Sequence, residues 1–424
     1  MKNIPYKKAH RLKSNRRSTA AVAQKQNQKT AAPAPPVPGD RAALIAPSFA
    51  VTPEQLAKAE KSIRLLGLTP VIYPSCRSRR DYLAGSDRLR ARDLEAAFSD
   101  SSVRAVFCLR GGYGASRLLN LIDFQTIRKN PKFFIGFSDI TALHTALNQE
   151  CGLITYHGPM PTAPYTACDS RLTLFFLRRM LYGTDLEKGL SIRLKKAKLL
   201  CRGEKRSFSP EKICSDRSSR ASQKEITASG EKNTCEKNRT PSRNERKHRE
   251  TIMSGRLCGG NLTVLASTLG SPYEIETEGK ILFLEDVGER TYRIDRAFTS
   301  LKLAEKISRC SGILLGTFSG CTPDPGGRSC QQIIREIAEP LGIPVVSGLP
   351  CGHSLPHLTL PLGAECQVIK VSGSDRLAPG GIPFSQAPGG TPELRSSLRF
   401  SRYSDPQEHS LENPGYLVLR LSFG

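Results

Sequence analysis

Residues 103–147 read VRAVFCLRGGYGASRLLNLIDFQTIRKNPKFFIGFSDITALHTAL, and this stretch decides the fold. It contains two apolar runs of strand length, residues 103–109 and 132–136, and each run ends in a turn that opens into a helical pattern. Strand, turn and helix repeated in this order predict a parallel sheet. Because parallel strands place their carboxyl ends at one edge of the sheet, we expect the two turns to meet at that edge.

Both turns contain residues that suit a functional site. The first, Arg-Gly-Gly-Tyr-Gly at 110–114, has glycines that allow positive φ and turn backbone amides toward an anion. The second, at 136–139, places Ser138 at the end of a strand and the start of a helix, where a nucleophile is expected. Two other interpretations stay open at this point. Ser138 or Asp139 would also serve as the N-cap of the following helix, and the glycines would also suit a tight connection without further function.

Strands and helices alternate along most of the chain, which predicts an α/β fold with two domains. Residues 40–165 are predicted to form an N-terminal, doubly wound, mostly parallel sheet domain that carries the nucleophile. Residues 166–194 are predicted as a connecting helix, and residues 253–371 as a smaller C-terminal α/β domain. In that second domain the Gly-Gly-Asn at 259–261 is interpreted as a turn before a helix.

The formal net charge of +24 is concentrated outside these two domains. Residues 1–39 hold nine Lys/Arg and no Asp/Glu, and residues 195–250 hold seventeen Lys/Arg against eight Asp/Glu. We predict a disordered basic arm at 1–39, a flexible charged insertion at 195–252 and a loosely ordered tail at 372–424, in which residues 416–421 are a candidate edge strand. An RNA-contacting arm is the alternative for the insertion, but its interspersed acids and few aromatic residues favour a solvated loop without a nucleic-acid partner.

The cysteine pattern and the length of the apolar segments indicate the cellular compartment in which the protein is expected. Thirteen Cys occur without a CxxC pair, which favours reduced thiols in the cytoplasm over disulfides or a zinc ribbon. No apolar window has the length needed to span a bilayer, so no membrane partner is expected. The basic N-terminus lacks the apolar region of a secretory signal, although an organellar transit peptide stays open as an alternative.

A serine nucleophile needs a general base, and that base needs an acidic partner. His353 follows a predicted strand within a Gly- and Pro-rich run, and His157 follows another. Glu285 and Asp286 end the predicted strand KILFLED. A plain turn histidine and the polar end of a strand are the simpler interpretations. Ser138, Glu285 and His353 nevertheless share one property, since each stands at the carboxyl end of a predicted strand.

No metal or cofactor is expected. His353 and His357 have the spacing of a helical zinc-binding pair, but Pro356 between them breaks a helix. Serine hydrolysis of this kind requires no metal ion.

Six motifs occur in an order that resembles the LD-carboxypeptidases, peptidase family S66: GGYGASRLL, GFSDITALH, HGPM, GGNLTVL, LEDVGERTYRIDR and GHSLPHLTLPLG. The best-known members of this family are muramoyltetrapeptide carboxypeptidases, and a second branch comprises microcin C self-immunity hydrolases. The resemblance covers residues 41–194 and 253–371. Residues 195–250, both tails and the absence of a Pro before Tyr292 depart from the usual pattern.

The resemblance implies a Ser-Glu-His triad of Ser138, Glu285 and His353. It also implies an oxyanion hole from the backbone amides of Gly112 and Asp139, and a homodimer.

Three hypotheses about function follow. The first is a cytoplasmic serine LD-carboxypeptidase that releases the terminal D-Ala from murein tetrapeptides in peptidoglycan recycling. The second is hydrolysis of peptidyl- or aminoacyl-adenylates. The third is a non-catalytic protein that binds nucleic acid or phosphate.

Overall fold

The computed structural model describes residues 32–162, 171–183, 190–194, 197–203, 249–371, 381–383 and 416–423. Its strands are β1 (Arg41–Ile45), β2 (Thr69–Ile72), β3 (Val103–Cys108), β4 (Phe133–Gly136), β5 (Thr155–His157), β6 (Leu190–Leu194), β7 (Lys198–Cys201), β8 (Arg249–Asn261), β9 (Ile281–Val287), β10 (Gly312–Ser319), β11 (Val345–Ser347), β12 (Leu360–Leu362), β13 (Glu365–Val371), β14 (Gly381–Pro383) and β15 (Tyr416–Ser422). Its helices are α1 (Pro53–Leu65), α2 (Asp87–Ser99), α3 (Phe124–Lys129), α4 (Thr141–Cys151), α5 (Arg171–Tyr182), α6 (Leu262–Ser267), α7 (Thr291–Leu303), α8 (Lys306–Arg309) and α9 (Cys330–Ala338).

The first sheet has the strand order β12-β5-β4-β3-β1-β2, and all pairs except β12 with β5 are parallel. Along β1, Ala42 and Leu44 pack into one core cluster with α1, whereas Ala43 and Ile45 pack into another with α2 and α4. A strand buried on both faces is apolar throughout, which explains why β1 reads as a continuous apolar run. Helices cover both faces, so the predicted doubly wound domain is confirmed.

The second sheet has the order β14-β6-β15-β13-β8-β9-β10-β11-β7. Its centre, β8 to β11, is parallel, and antiparallel strands flank it on both sides. Residues of this sheet, such as Phe283 and Leu314, share one buried cluster with Leu44 and Phe107 of the first sheet. The core therefore continues between the two sheets, and the α/β class predicted for both halves is confirmed.

Three segments differ from the sequence-based expectations. Residues 190–194, predicted as part of a connecting helix, form β6, because buried and half-buried side chains alternate there and the strand pairs with β15. Residues 198–201 and 249–252, predicted within the flexible insertion, belong to β7 and β8. The strand β15 in the predicted tail lies inside the sheet between β13 and β6, and is not an edge strand.

The remaining predictions concern residues that the structure does not describe. Most of the predicted arm, residues 204–248 of the insertion and much of the tail lie outside the described residues. Among the described helices, none combines the length and the apolar character needed to cross a membrane.

Candidate active site

Ser138 follows the last residue of β4 by one extended residue, and it begins a single 3-10 turn, Ser138–Ile140, that leads into α4. Its φ is 63°, a left-handed conformation that is uncommon for a residue with a side chain. Such backbone strain is concentrated at functional sites. The N-cap interpretation of the sequence is wrong, because Ile140 is the N-cap of α4 and no side chain caps it.

The glycine turn lies directly against this serine. A Cβ added to Gly111 would lie 3.0 Å from the Ser138 Cβ and 3.3 Å from the Asp139 nitrogen. At Gly112 the φ is +114°, and an added Cβ would lie 2.4 Å from the Phe49 ring. Glycine is therefore required at Gly112, and at Gly111 a side chain would press against the serine turn. Within the described residues, the backbone amides of Gly112 and Asp139 donate to no protein acceptor.

The Asp139 side chain joins the two turns. Its Oδ2 accepts hydrogen bonds from the Ser48 hydroxyl at 2.6 Å and from the Ala115 amide at 2.9 Å. Burial raises the pKa of the Asp139 carboxyl above its ordinary value, and the two hydrogen bonds oppose that shift. This buried carboxyl group fixes the glycine turn relative to the serine turn.

The other half of the site comes from the second sheet and the loop after β11. Glu285, in β9, is fully buried, and its Oε2 lies 2.7 Å from His353 Nδ1. His353 Nε2 lies 3.1 Å from Ser138 Oγ. The structure therefore brings these three predicted residues into one hydrogen-bonded chain. With the ring proton on Nδ1, His353 donates to Glu285 and offers a lone pair to the serine hydroxyl.

The carboxylate of Glu285 is held on its other side by Asn261, whose side-chain amide donates to Glu285 Oε1 at 3.3 Å and to Asp286 Oδ1 at 2.9 Å. Burial raises the pKa of Glu285, and the hydrogen bond with His353 opposes this effect. Asp286 itself accepts from the backbone and hydroxyl of Thr263, so it supports the start of α6 and not the histidine.

The other described histidines are buried. His144 has hydrogen bonds through both ring nitrogens, to Gly136 O and Thr155 Oγ1, and burial lowers its pKa to about 4. Burial also lowers the pKa of His157 well below its ordinary value and that of His357 to about 3, whereas it raises the pKa of the Cys351 thiol. Among the residues that the structure describes, one group is spaced to hold a metal ion: His157, Cys351 and His357.

A role in the site was not predicted for Ser48 or Asn261, although the sequence carries a signal for both. Both are polar residues at the carboxyl end of a parallel strand, Ser48 shortly after β1 and Asn261 at the end of β8. The strand-end rule that selected Ser138, Glu285 and His353 applies equally to them.

Comparison with known proteins agrees with this architecture. Residues 42–158 match the model of the LD-carboxypeptidase N-terminal domain, and residues 254–368 match that of the C-terminal domain. A "probable murein peptide carboxypeptidase" of Bacillus subtilis is 34% identical over 330 residues, which cover 77% of this chain and 88% of the relative. The microcin C7 self-immunity protein of Escherichia coli is 29% identical over 290 residues, 68% of this chain and 77% of the relative.

Among solved structures, the muramoyltetrapeptide carboxypeptidase from Oxalobacter formigenes superposes with a TM-score of 0.62 at 24% identity, covering 90% of this chain and 98% of that one. This likeness concerns the fold. Together with the two matched domains and the identity to the Bacillus relative, it leads to one conclusion: the chain belongs to the LD-carboxypeptidase family of serine carboxypeptidases.

Proposed function

We propose that this enzyme removes the terminal D-Ala from murein tetrapeptides, and that it does so in the cytoplasm during peptidoglycan recycling. The observation that carries the proposal is the hydrogen-bonded chain Ser138–His353–Glu285 beside two backbone amides that bind no acceptor among the residues described. The names of the Bacillus and Oxalobacter relatives supply the substrate class.

In the proposed mechanism, Ser138 Oγ attacks the carbonyl carbon of the residue before D-Ala while His353 Nε2 accepts the hydroxyl proton. The amides of Gly112 and Asp139 would bind the resulting oxyanion. His353 would then give the proton to the leaving amine of D-Ala, and a water molecule, activated by the same nitrogen, would release the acyl group from the serine. Glu285 would hold the ring in the required tautomer and stabilise the imidazolium.

A carboxypeptidase must also recognise the terminal carboxylate of its substrate. Arg110 directly precedes the glycine turn, its guanidinium carbon lies 5.5 Å from the centre of the Phe49 ring, and one of its nitrogens lies 3.5 Å from Ala50 O. Among the described residues, no carboxylate lies within ion-pair distance of this guanidinium. We assign Arg110 as the group that pairs with the carboxylate of D-Ala, since a guanidinium binds carboxylates in a two-pronged geometry.

The test is release of D-Ala from a murein tetrapeptide and from the same peptide with an amidated C-terminus. The proposal predicts release from the free acid and a kcat/KM at least tenfold lower for the amide. Arg110→Gln should reduce that preference, with the exposed Arg104→Gln as the matched control. Absence of D-Ala release from the free acid would contradict the proposed substrate, whereas equal rates on both peptides would contradict only the role of Arg110.

Hydrolysis of peptidyl- or aminoacyl-adenylates is the second candidate, and the similarity to the microcin C7 self-immunity protein favours it. The same serine chemistry applies to both substrates. Parallel assays with a tetrapeptide and an aminoacyl sulfamoyl or phosphoramidate adenosine would separate them by kcat/KM. The third hypothesis, a non-catalytic binding protein, is not supported, because the chain belongs to an enzyme family. We retain a homodimer as a proposal, to be tested by light scattering.

A further inference from the structure

A second group of reactive side chains lies beside the proposed triad. It consists of His157 on β5 and of Cys351 and His357, which flank His353 in the loop after β11. The three offer one ligand atom each, and these atoms all lie within 4.8 Å of one another. We call this group the buried His-Cys-His cluster. His157 and Cys351 are fully buried, and His357 is 3% exposed.

The hydrogen bonds of this cluster are incomplete. The Nε2 atoms of His157 and His357 are buried and have no hydrogen-bond partner in the part of the chain that the structure describes. His157 Nδ1 lies 3.4 Å from Cys351 Sγ, and that thiol also faces the carbonyl oxygen of Leu358 at 3.1 Å. A buried polar atom without a partner is costly, and an ion is one of the few ways to satisfy it. Each imidazole of the cluster thus carries one such nitrogen, and His157 Nδ1 is the ring atom that contacts the thiol.

The aromatic surroundings make the cluster a closed site. The His157 ring lies edge-on to Phe283 and Phe137, with ring centres 5.1 and 5.8 Å apart, and the His357 ring lies edge-on to Phe137 at 4.8 Å. These contacts exclude water from the rings and keep the imidazoles neutral, which is the form that binds metal ions. They also fix the ring orientations, as a ligand set requires.

We propose that the buried His-Cys-His cluster is a zinc site. One thiolate and two imidazoles are donors that zinc prefers, and a three-residue set leaves a fourth position. Binding would proceed as Zn²⁺ displaces the thiol proton of Cys351, which leaves to solvent, so the site would carry a net charge of +1. The carboxylate of Glu285 provides a counter-charge, since its Oε1 lies 4.0 Å from His157 Nε2.

The fit requires a modest contraction. Zinc–ligand bonds of about 2.0–2.3 Å in a tetrahedral arrangement separate the donor atoms by roughly 3.3–3.6 Å. Since the donor atoms lie within 4.8 Å of one another, the widest pair would approach by at most about 1.2–1.5 Å, a shift within reach of a loop that carries two of the three ligands. This shift can be measured, because only the closed arrangement allows sulfur and both nitrogens to bind one ion.

The position of the cluster gives the ion a structural role. Cys351 and His357 lie on both sides of His353 in one loop, and His157 belongs to the first sheet. Bound zinc would fasten the loop that carries the proposed general base to the strand beside the serine turn. It takes no part in the serine chemistry, so the proposal does not depend on the proposed function.

Cobalt titration of the full-length apoprotein under anaerobic conditions tests the site. Co²⁺ bound to a thiolate in a tetrahedral site gives an intense near-ultraviolet charge-transfer band and visible bands. We expect these bands to saturate at one equivalent and to be removed by Zn²⁺. Cys351→Ser and His357→Gln should each weaken Co²⁺ binding at least tenfold. Cys310→Ser is the matched control, since Cys310 is equally buried and its thiol lies 3.1 Å from the carbonyl oxygen of Ile307.

A measurement on the wild-type chain keeps the proposal testable if a variant does not fold. The zinc K-edge absorption spectrum of protein loaded with one equivalent should show one sulfur at about 2.3 Å and at least two nitrogens at about 2.0–2.1 Å. A shell without sulfur, or one with several sulfurs, would overturn the assignment. So would cobalt bands that are absent from the wild type, or that persist at full intensity in both Cys351→Ser and His357→Gln.

Discussion

The two sheets supply the candidate active site by different means. The first contributes backbone geometry: a serine with φ of 63°, a glycine with φ of +114° packed on Phe49, and two amides without an acceptor among the described residues. The second contributes side chains, since the Glu285 carboxylate and the His353 ring reach the serine through two hydrogen bonds. The part of the site from the first sheet, the first side, thus depends on close packing against glycine backbone. The part from the second sheet, the second side, depends on a buried carboxylate. Substitutions should therefore affect the two sides differently.

Removing the proposed nucleophile should have the largest effect, because the parts of the site from both sheets act on its hydroxyl group. In a serine hydrolase, loss of this hydroxyl lowers kcat by roughly 10⁶-fold. We expect a decrease of that order for D-Ala release by Ser138→Ala. Steady-state assays with a tetrapeptide measure it, with the exposed Ser99→Ala as the control. Undiminished activity in Ser138→Ala would refute the proposed triad.

Substitution of Glu285 tests only the part of the site that the second sheet contributes. Glu285→Gln keeps the size of the side chain but favours the wrong tautomer of His353, and kcat should fall roughly 10⁴-fold. Asp286→Asn is the matched control: it is the next residue in β9, is also buried and binds Thr263. It should change kcat less than tenfold while it lowers the free energy of unfolding. Equal losses of kcat in both variants would mean that the carboxylate of Glu285 acts only through stability.

Adding a methyl group tests the first side. Gly112→Ala should displace the glycine turn, because the new Cβ would lie 2.4 Å from the Phe49 ring. Loss of one oxyanion donor lowers kcat by roughly 10²–10³-fold. Gly270→Ala is the control for backbone strain, since Gly270 has φ of +77° but no atom within 4 Å of the added Cβ. If both variants lose stability alike and Gly112→Ala keeps its kcat, the amide of Gly112 is not an oxyanion donor.

The smallest effect on activity is expected from the link between the two turns. Ser48→Ala removes the hydrogen bond to Asp139, leaves a buried carboxyl group underbonded, and should lower the free energy of unfolding by about 1–3 kcal/mol. That bond lowers the pKa of Asp139, so the variant should raise this pKa further above its ordinary value.

The pH dependence has a definite sign. A raised pKa in the folded state means that stability is fully present at low pH and is lost as pH rises through that pKa. The variant should therefore be destabilised more at pH 7 than at pH 4, relative to the wild type. Denaturant unfolding at the two pH values measures this difference, and a destabilisation that is the same at both values would contradict it.

The part of the site on the first sheet was easier to predict from the sequence than the part on the second sheet. The residues that form it are close together in the sequence. The glycine turn and the serine turn each lie between a strand and a helix, so apolar periodicity was sufficient to place them. Pairing Glu285 with His353 depends on strands far apart in the sequence, and only the family resemblance joined them. Gly-Gly-Asn at 259–261 was interpreted as a turn, but it forms the end of β8. Glycine is needed there because side chains at Gly259 and Gly260 would collide with Phe283 and Thr141. A glycine that lets another strand or helix pack closely against its backbone cannot be told, from the local sequence, from a glycine in a turn.

The pairing of β12 with β5 has a consequence for biosynthesis. Residues 360–362 return from the second half of the chain to complete the first sheet. During translation, β5 therefore presents an open edge until almost all of the described chain has left the ribosome. An unpaired strand edge invites association with other chains. The nascent protein should thus be most prone to aggregate, and most dependent on chaperones, in the interval between the synthesis of these two strands.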